Sequence, residues 1–179
     1  MNLEIFKTNL PSKSVELNLD IFYENEGNKP RTRGLILQLE EELKQISDIQ
    51  IQLKTTHKFS KGIYARECFI PKGTVLTGKI HLEESINICS QGDITVITED
   101  GIKRVSAPFS VASRPGIKRV GFAHEDTVWV TIHATEETDL EKLEKKLFTE
   151  KYEDLDRSDF ENDFKVQETM EGFLCQPLL

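Results

Sequence analysis

Cysteine is scarce in this chain: of its 179 residues only Cys68, Cys89 and Cys175 carry a thiol. They are odd in number and form no C-x-x-C pair, which argues against a disulfide framework and suits reduced thiols in a cytosolic protein. Cys68 and Cys89 each sit in an apolar stretch, where they read as small core residues. No run of about 18 apolar residues occurs, so no membrane contact through a spanning helix is expected. The opening Met1-Asn2-Leu3-Glu4-Ile5 has no basic stretch followed by an apolar one, so no secretory signal is expected. An excess of basic residues is missing too. Lys and Arg total 23 against 31 Asp and Glu, a net charge of −8. Fourteen acids and six bases lie from Ala134 to Leu179, and the 17 acids and 17 bases before them cancel. A neutral body with an acidic end excludes nonspecific nucleic-acid binding, which needs a basic surface.

Several catalytic signatures are absent as well. Lys72-Gly73-Thr74 lacks the preceding glycine spacing of a phosphate loop. No Ser or Cys stands in a nucleophile-elbow context. Glu83 and Glu84 are adjacent, so on a strand they point to opposite faces and cannot form a carboxylate dyad.

What the chain does have is a long β-rich stretch. Residues 64–69, 74–81, 85–90, 94–98, 103–105, 109–112, 118–122 and 127–133 are rich in β-branched and aromatic side chains. Turn chemistry separates them, at Pro71-Lys72-Gly73, Gln91-Gly92-Asp93, Glu99-Asp100-Gly101, Ser106-Ala107-Pro108 and Arg114-Pro115-Gly116. Many short strands at near-regular spacing predict a mainly β protein, an antiparallel barrel or sandwich whose mouth can hold a ligand.

Three regions follow: an α/β decoration over residues 1–56, the β-barrel over 57–137 and an acidic helical arm over 138–179. In the first, a helix is predicted at about Thr32 to Gln45, and alternation at Ile49, Ile51 and Leu53 predicts a strand. The third opens with Thr138 and Glu141 at capping-box spacing. Leu140, Leu143, Leu147 and Phe148 then form one apolar stripe. Beyond Tyr152, Leu155, Phe160, Phe164, Val166, Met170, Phe173 and Leu174 punctuate the acidic sequence, which suits an arm packed on the body or on another subunit.

Two features carry chemistry. Gly-Ile-Lys-Arg-Val occurs twice, at Gly101–Val105 and Gly116–Val120, each time leaving a turn for a strand. Placed together at one barrel edge, Lys103, Arg104, Lys118 and Arg119 could hold an anionic ligand or an acidic partner segment. Trp129 is either barrel core or a stacking platform beside them. The second feature is His81, followed by Glu83, Glu84, Ser85 and Asn87. Imidazole and carboxylate are ligands for one divalent metal, and His81, Glu83 and His124 are the candidate set. His57 reads as a surface or hydrogen-bonded residue, and His133, closing an apolar strand, as a structural one.

The run His81-x-Glu83-x3-Asn87 followed by Gly92 resembles the first motif of the cupin superfamily. In that motif two histidines are separated by one residue and followed by a glutamate and a glycine. His81 matches the first ligand, Glu83 stands in place of the second histidine, and Asn87 stands in place of the glutamate. Pro115-Gly116 matches the turn of the second motif, with Lys118 and Arg119 where its histidine would be and His124 the next candidate. The segments Ile63–Glu67, Pro71–His81, Gly92–Val96, Thr98–Gly101 and Ala123–Leu140 are similar to small cupin-like proteins of bacteriophage genomes. Those proteins bring no assigned activity, and they carry a second histidine where Ser85 stands. The resemblance, over about residues 57 to 147, implies a cupin-like jelly roll and, if phage-encoded, a place in the host cytoplasm.

Three functional readings follow. The first is an oligomeric binding protein that captures a small anionic molecule, or a host protein, without catalysis. The second is a metal enzyme using His81, Glu83 and His124, with His133 a further donor, on a sugar or small acid. The third is a virion or assembly accessory in which the barrel only presents surfaces.

Overall fold

The computed structural model describes residues 4–7, 9, 10, 13, 14, 20–45 and 51–155. Its elements are, in chain order, β1 (Glu4–Lys7), β2 (Asn9–Leu10), β3 (Lys13–Ser14), α1 (Asp20–Tyr23), α2 (Lys29–Lys44), β4 (Lys54–Ser60) and β5 (Ile63–Ile70). There follow β6 (Thr74–Thr77), β7 (Ile80–His81), β8 (Ser85–Gln91), β9 (Asp93–Thr98), β10 (Gly101–Ser106) and β11 (Phe109–Ser113). Then come β12 (Val120–Ala123), β13 (Thr127–Ala134), α3 (Leu140–Leu147) and β14 (Phe148–Thr149).

The strands build two five-stranded antiparallel sheets, in the order β1-β6-β12-β9-β10 (sheet I) and β11-β8-β13-β5-β4 (sheet II). The chain crosses between them at the β5–β6, β8–β9, β10–β11 and β12–β13 turns, which gives a cupin-like sandwich. Gly92 is essential to one crossing. Its φ is +89°, and a Cβ there would strike the Asp126 carbonyl oxygen and lie 2.7 Å from Thr127 Cα.

Side-chain alternation decides what each face does. On sheet I, Val75, Ile97 and Val120 face outward onto Leu35, Ile36 and Leu43 of α2, together with Phe22 of α1. The helix begins at Lys29, before the predicted Thr32, because Asn28 caps it and Pro30 suits the first turn, where no N–H is needed. Between the sheets, Cys68, Ile70, Cys89, Ile94, Val105 and Ala123 form a second apolar cluster. Cys68 and Cys89 are buried free thiols; Cys175 lies outside the described residues. A third cluster joins Tyr64 of β5 to Leu143, Leu147 and Phe148, so α3 and β14 close one end of the barrel.

Three local expectations are corrected. The predicted strand over 74–81 is broken at Gly78 and Lys79, where the Gly78 N–H donates to the Arg119 carbonyl at 2.9 Å. Of the strand expected over Ile49, Ile51 and Leu53, Ile49 lies outside the described residues and Ile51 and Leu53 are in no strand: Leu53 turns into the core, and the edge strand starts at Lys54. The cap of α3 is Asp139, not Thr138. The Asp139 carboxylate accepts from the N–H groups of Glu141 and Lys142 at 3.0 Å each, a stronger partner for those donors than a hydroxyl. Of the arm, α3, β14 and the turn through buried Leu155 are described; residues 156–179, with Phe160 to Leu174, lie outside the described residues.

Candidate functional site

Sheet II carries its polar residues inward. Its three central strands direct Ser85, Asn87 and Cys89 (β8), Trp129, Thr131 and His133 (β13), and Tyr64, Arg66, Cys68 and Ile70 (β5) into the barrel, so polar groups stand among the apolar ones on the inward face. Buried polar groups must be paired inside the protein or by a ligand, so an inverted strand marks a site.

The pairing centres on Asn87. Its Nδ2 donates to Ser85 Oγ at 3.1 Å and Ser113 Oγ at 3.0 Å. Its Oδ1 accepts from Trp129 Nε1 at 3.2 Å and Thr131 Oγ1 at 3.1 Å. Above this network lies a chamber of about 60 Å³ lined by Arg66, Lys79, His81, Asn87, Arg119, Trp129 and Thr131 together with apolar residues; Lys79 is paired with Glu144 and Glu150. At about 10–15 Å³ per water, it has room for roughly four to six water-sized groups. Arg119 and Trp129 also line a wider vestibule of about 880 Å³, shared with Lys103, Phe109 and Arg114 and with the carboxylates of Glu26, Glu99 and Asp100; Glu99 is paired with Arg33 and Arg114.

No carboxylate lines the chamber. The Arg119 guanidinium donates to Ser113 Oγ and lies 3.5 Å from His81 Nε2, and among the described residues it pairs with no acid. Burial, aided by the nearby Arg66 charge, pushes its pKa down to about 10, so it remains a cation at neutral pH. Arg66 is buried beside it, its guanidinium 5.0 Å from the centre of the Phe148 ring. Burial holds His81 well below the usual imidazole range, helped by Arg119, Arg66 and His133, so the ring is neutral. A guanidinium can only donate, so Nε2 accepts and the proton sits on Nδ1, a buried donor with no partner. His133 stacks on His81 at 5.5 Å between centroids, and burial pushes its pKa down to about 4. The Glu84 backbone opposes that shift but makes no hydrogen bond of ordinary geometry to either nitrogen.

The cupin resemblance implies a metal, and these residues do not fit one. His81 Nε2 faces a fixed cation, no acid lines the chamber, and among the described residues no group of three His, Cys, Asp or Glu gathers to hold an ion. Glu83 is exposed in the turn after β7. His124 lies on the outer side of sheet I, its Nε2 2.7 Å from Thr95 Oγ1 and its ring edge-on to Phe122. The structure therefore does not bring His81, Glu83 and His124 together. His57, on β4, has its Nδ1 2.8 Å from the Tyr64 hydroxyl.

The basic set divides in two. Lys103, Arg119 and Trp129 line the vestibule. Arg104 is exposed and paired with Asp93 at 2.7 Å, and Lys118 is buried against Glu40 of α2 at 2.7 Å. The two Gly-Ile-Lys-Arg-Val copies sit one residue out of phase with the pleat, so one turns its Lys inward and the other its Arg. Arg66 and Thr131 of the chamber and Ser113 of the vestibule are not singled out by the sequence. The signal for Arg66 was present: it is a charge on the inward face of Tyr64, Cys68 and Ile70.

No protein-family model matches the sequence, and no curated protein matches it either. The structure is similar to an acetylacetone dioxygenase from Acinetobacter johnsonii (14% identity, TM-score 0.40), over 46% of this chain and 59% of that one. The chain thus spans less than two thirds of that enzyme's length. It is similar to an RmlC-like cupin from Shewanella frigidimarina (18% identity, TM-score 0.41), over 48% of this chain and 78% of that one. It is also similar to a conserved protein of unknown function from Streptococcus pyogenes (12% identity, TM-score 0.40), over 49% of this chain and 77% of that one.

Proposed function

We propose that this chain is a binding protein that holds a small anion inside the barrel, without catalysis. The observation that carries this reading is Arg119: a part-buried guanidinium with no carboxylate partner among the described residues, at the wall of a chamber lined by no acid. A partly desolvated charge without a counter-ion is destabilising, and a bound anion would recover that cost. The chamber's size suits a phosphate, sulfate or carboxylate group, with the rest of the molecule extending past Trp129 into the vestibule. Lys103, whose Nζ sits 4.7 Å from the centre of the Phe109 ring, adds positive charge at the outer edge. Recognition of a folded partner is disfavoured, because the charge lies inside the barrel. Encoded in a phage, as the sequence resemblance implies, such a protein would sequester a metabolite in the host cytoplasm.

The test is calorimetric titration of the protein with inorganic phosphate, sulfate and acetate, beside native mass spectrometry of untagged protein. Saturable binding of one anion per chain, lost in Arg119→Gln, is the expected result. Absence of any anion or organic adduct in the wild-type protein would sink the proposal. Stoichiometric divalent metal, lost in His81→Ala, would replace it with the enzyme reading.

A further inference from the structure

The chamber beside Arg119 has a polar end and an apolar one. On β5 the inward positions run from Arg66 through Cys68 to Ile70, with Arg66 in register with Thr131 and Cys68 with Trp129. On sheet I, Arg119 is followed inward by Gly121, in register with Leu76 and Val96, and then by Ala123, level with Ile94. Leu76, Val96 and Trp129 pack on the cluster of Cys68, Ile70 and Ile94, yet stay partly exposed. Gly121 keeps this apolar wall open. It lies inside β12 without a positive φ, so the backbone does not require a glycine there. A Cβ would lie 2.8 Å from Leu76 Cδ2 and 3.2 Å from Ile94 Cδ1. The missing side chain lets both residues lie back on the β12 backbone, a close approach of the kind that glycine inside a strand marks.

We propose that the anion held at Arg119 is the carboxylate of a short aliphatic acid, whose chain packs on Cys68, Ile70, Leu76 and Ile94. This rests on the anion-binding reading above and names its ligand class. Donor chemistry favours a carboxylate over phosphate or sulfate. Asn87 fills its hydrogen-bonding positions with Ser85, Ser113, Trp129 and Thr131, which engages the Trp129 and Thr131 donors as well. Lys79 is held by Glu144 and Glu150, and the Arg66 guanidinium lies over the Phe148 ring. Among the described residues, Arg119 meets Ser113 and His81 and keeps N–H groups of its fork free. A planar carboxylate matches that fork with one charge and brings an alkyl group to the apolar wall. A tetrahedral anion would press its remaining oxygens against that wall without donors. Size limits the chain. The chamber of about 60 Å³ holds roughly four to six water-sized groups, so a carboxylate leaves room for about one to three carbons beyond it. Butyrate fills it.

Calorimetric titration of the full chain with acetate, propionate, butyrate, hexanoate and inorganic phosphate provides the test. Each added methylene is expected to tighten binding about fourfold as far as butyrate, with hexanoate no tighter and phosphate weaker than butyrate. Gly121→Ala drives Leu76 and Ile94 into the chamber and is expected to cut the preference for butyrate over acetate from about fifteenfold to below about threefold. Leu76→Ala enlarges the apolar end and is expected to move the optimum to a longer chain. Far-ultraviolet circular dichroism establishes that each variant is folded. Equal affinity for acetate and butyrate, phosphate binding tighter than butyrate, or a gain that continues through hexanoate overturns the inference and leaves the anion site standing. An optimum that neither variant moves overturns it in the same way. Butyrate binding that survives Arg119→Gln, or no binding of any anion, overturns the inference together with the reading on which it rests.

Discussion

Lys118 and Arg119 are neighbours in the chain and face opposite sides of the same sheet. Lys118 reaches out to Glu40 of α2 at 2.7 Å, and Arg119 turns into the barrel beside His81 at 3.5 Å. One cation is compensated and fastens the helix to the barrel; the other has no acid beside it among the described residues. Their different environments give them different roles and opposite expected effects on stability.

Removing Glu40 leaves Lys118, 2% exposed, as a buried charge without its partner. Glu40→Ala is expected to lower stability by about 3 kcal/mol in urea unfolding. The double variant Glu40→Leu/Lys118→Met removes both charges and is expected to return to within about 1 kcal/mol of wild type. A double variant as unstable as the single one would mean that the pair is not what holds α2.

Arg119 should behave in the opposite way. Arg119→Met deletes a desolvated charge while keeping most of the side-chain volume, so it is expected to stabilise the anion-free protein by about 1–2 kcal/mol. It is also expected to abolish phosphate binding. Loss of stability in the absence of anion would show that the barrel needs the guanidinium for its own fold.

His133 sets a pH dependence. Its folded pKa of about 4 lies below the ordinary 6.5, so between those values the unfolded chain binds the proton more readily. Stability is therefore fully present above about pH 6.5 and falls as the pH drops towards 4. The loss is on the order of 3 kcal/mol, from about 1.4 kcal/mol per pH unit, and His81, also depressed, acts in the same direction. His133→Phe, which fits the stack of Tyr64, His81 and Phe148, is expected to flatten the slope. Denaturant midpoints measured from pH 4 to 7 decide this, and an unchanged slope would assign the acid loss to other groups.

Gly92 combines a positive φ with no room for a Cβ. Gly92→Ala is expected to cost about 3 kcal/mol, because the alanine must both adopt a left-handed backbone and push away the Asp126–Thr127 backbone. Thermal unfolding checks it, and a change below about 1 kcal/mol would mean that the crossing can relax.

Period-two alternation and turn residues were sufficient to predict the β-domain. Local strand signals depend on neighbours two residues away, so the strands from β5 to β13 were legible to within a residue or two, apart from the break at Gly78. The inward cation was not legible. The two Gly-Ile-Lys-Arg-Val copies are identical in sequence, and only their offset against the pleat, set by pairing with distant strands, turns Lys103 and Arg119 inward and Arg104 and Lys118 outward. Likewise His81 and His124 looked equivalent as isolated histidines, until packing buried one in the barrel and placed the other outside with Thr95. The sequence by itself determined the β-rich fold and the helix that precedes it. The tertiary structure alone decided which charges share a chamber, because register and sheet crossing join residues that local sequence keeps apart.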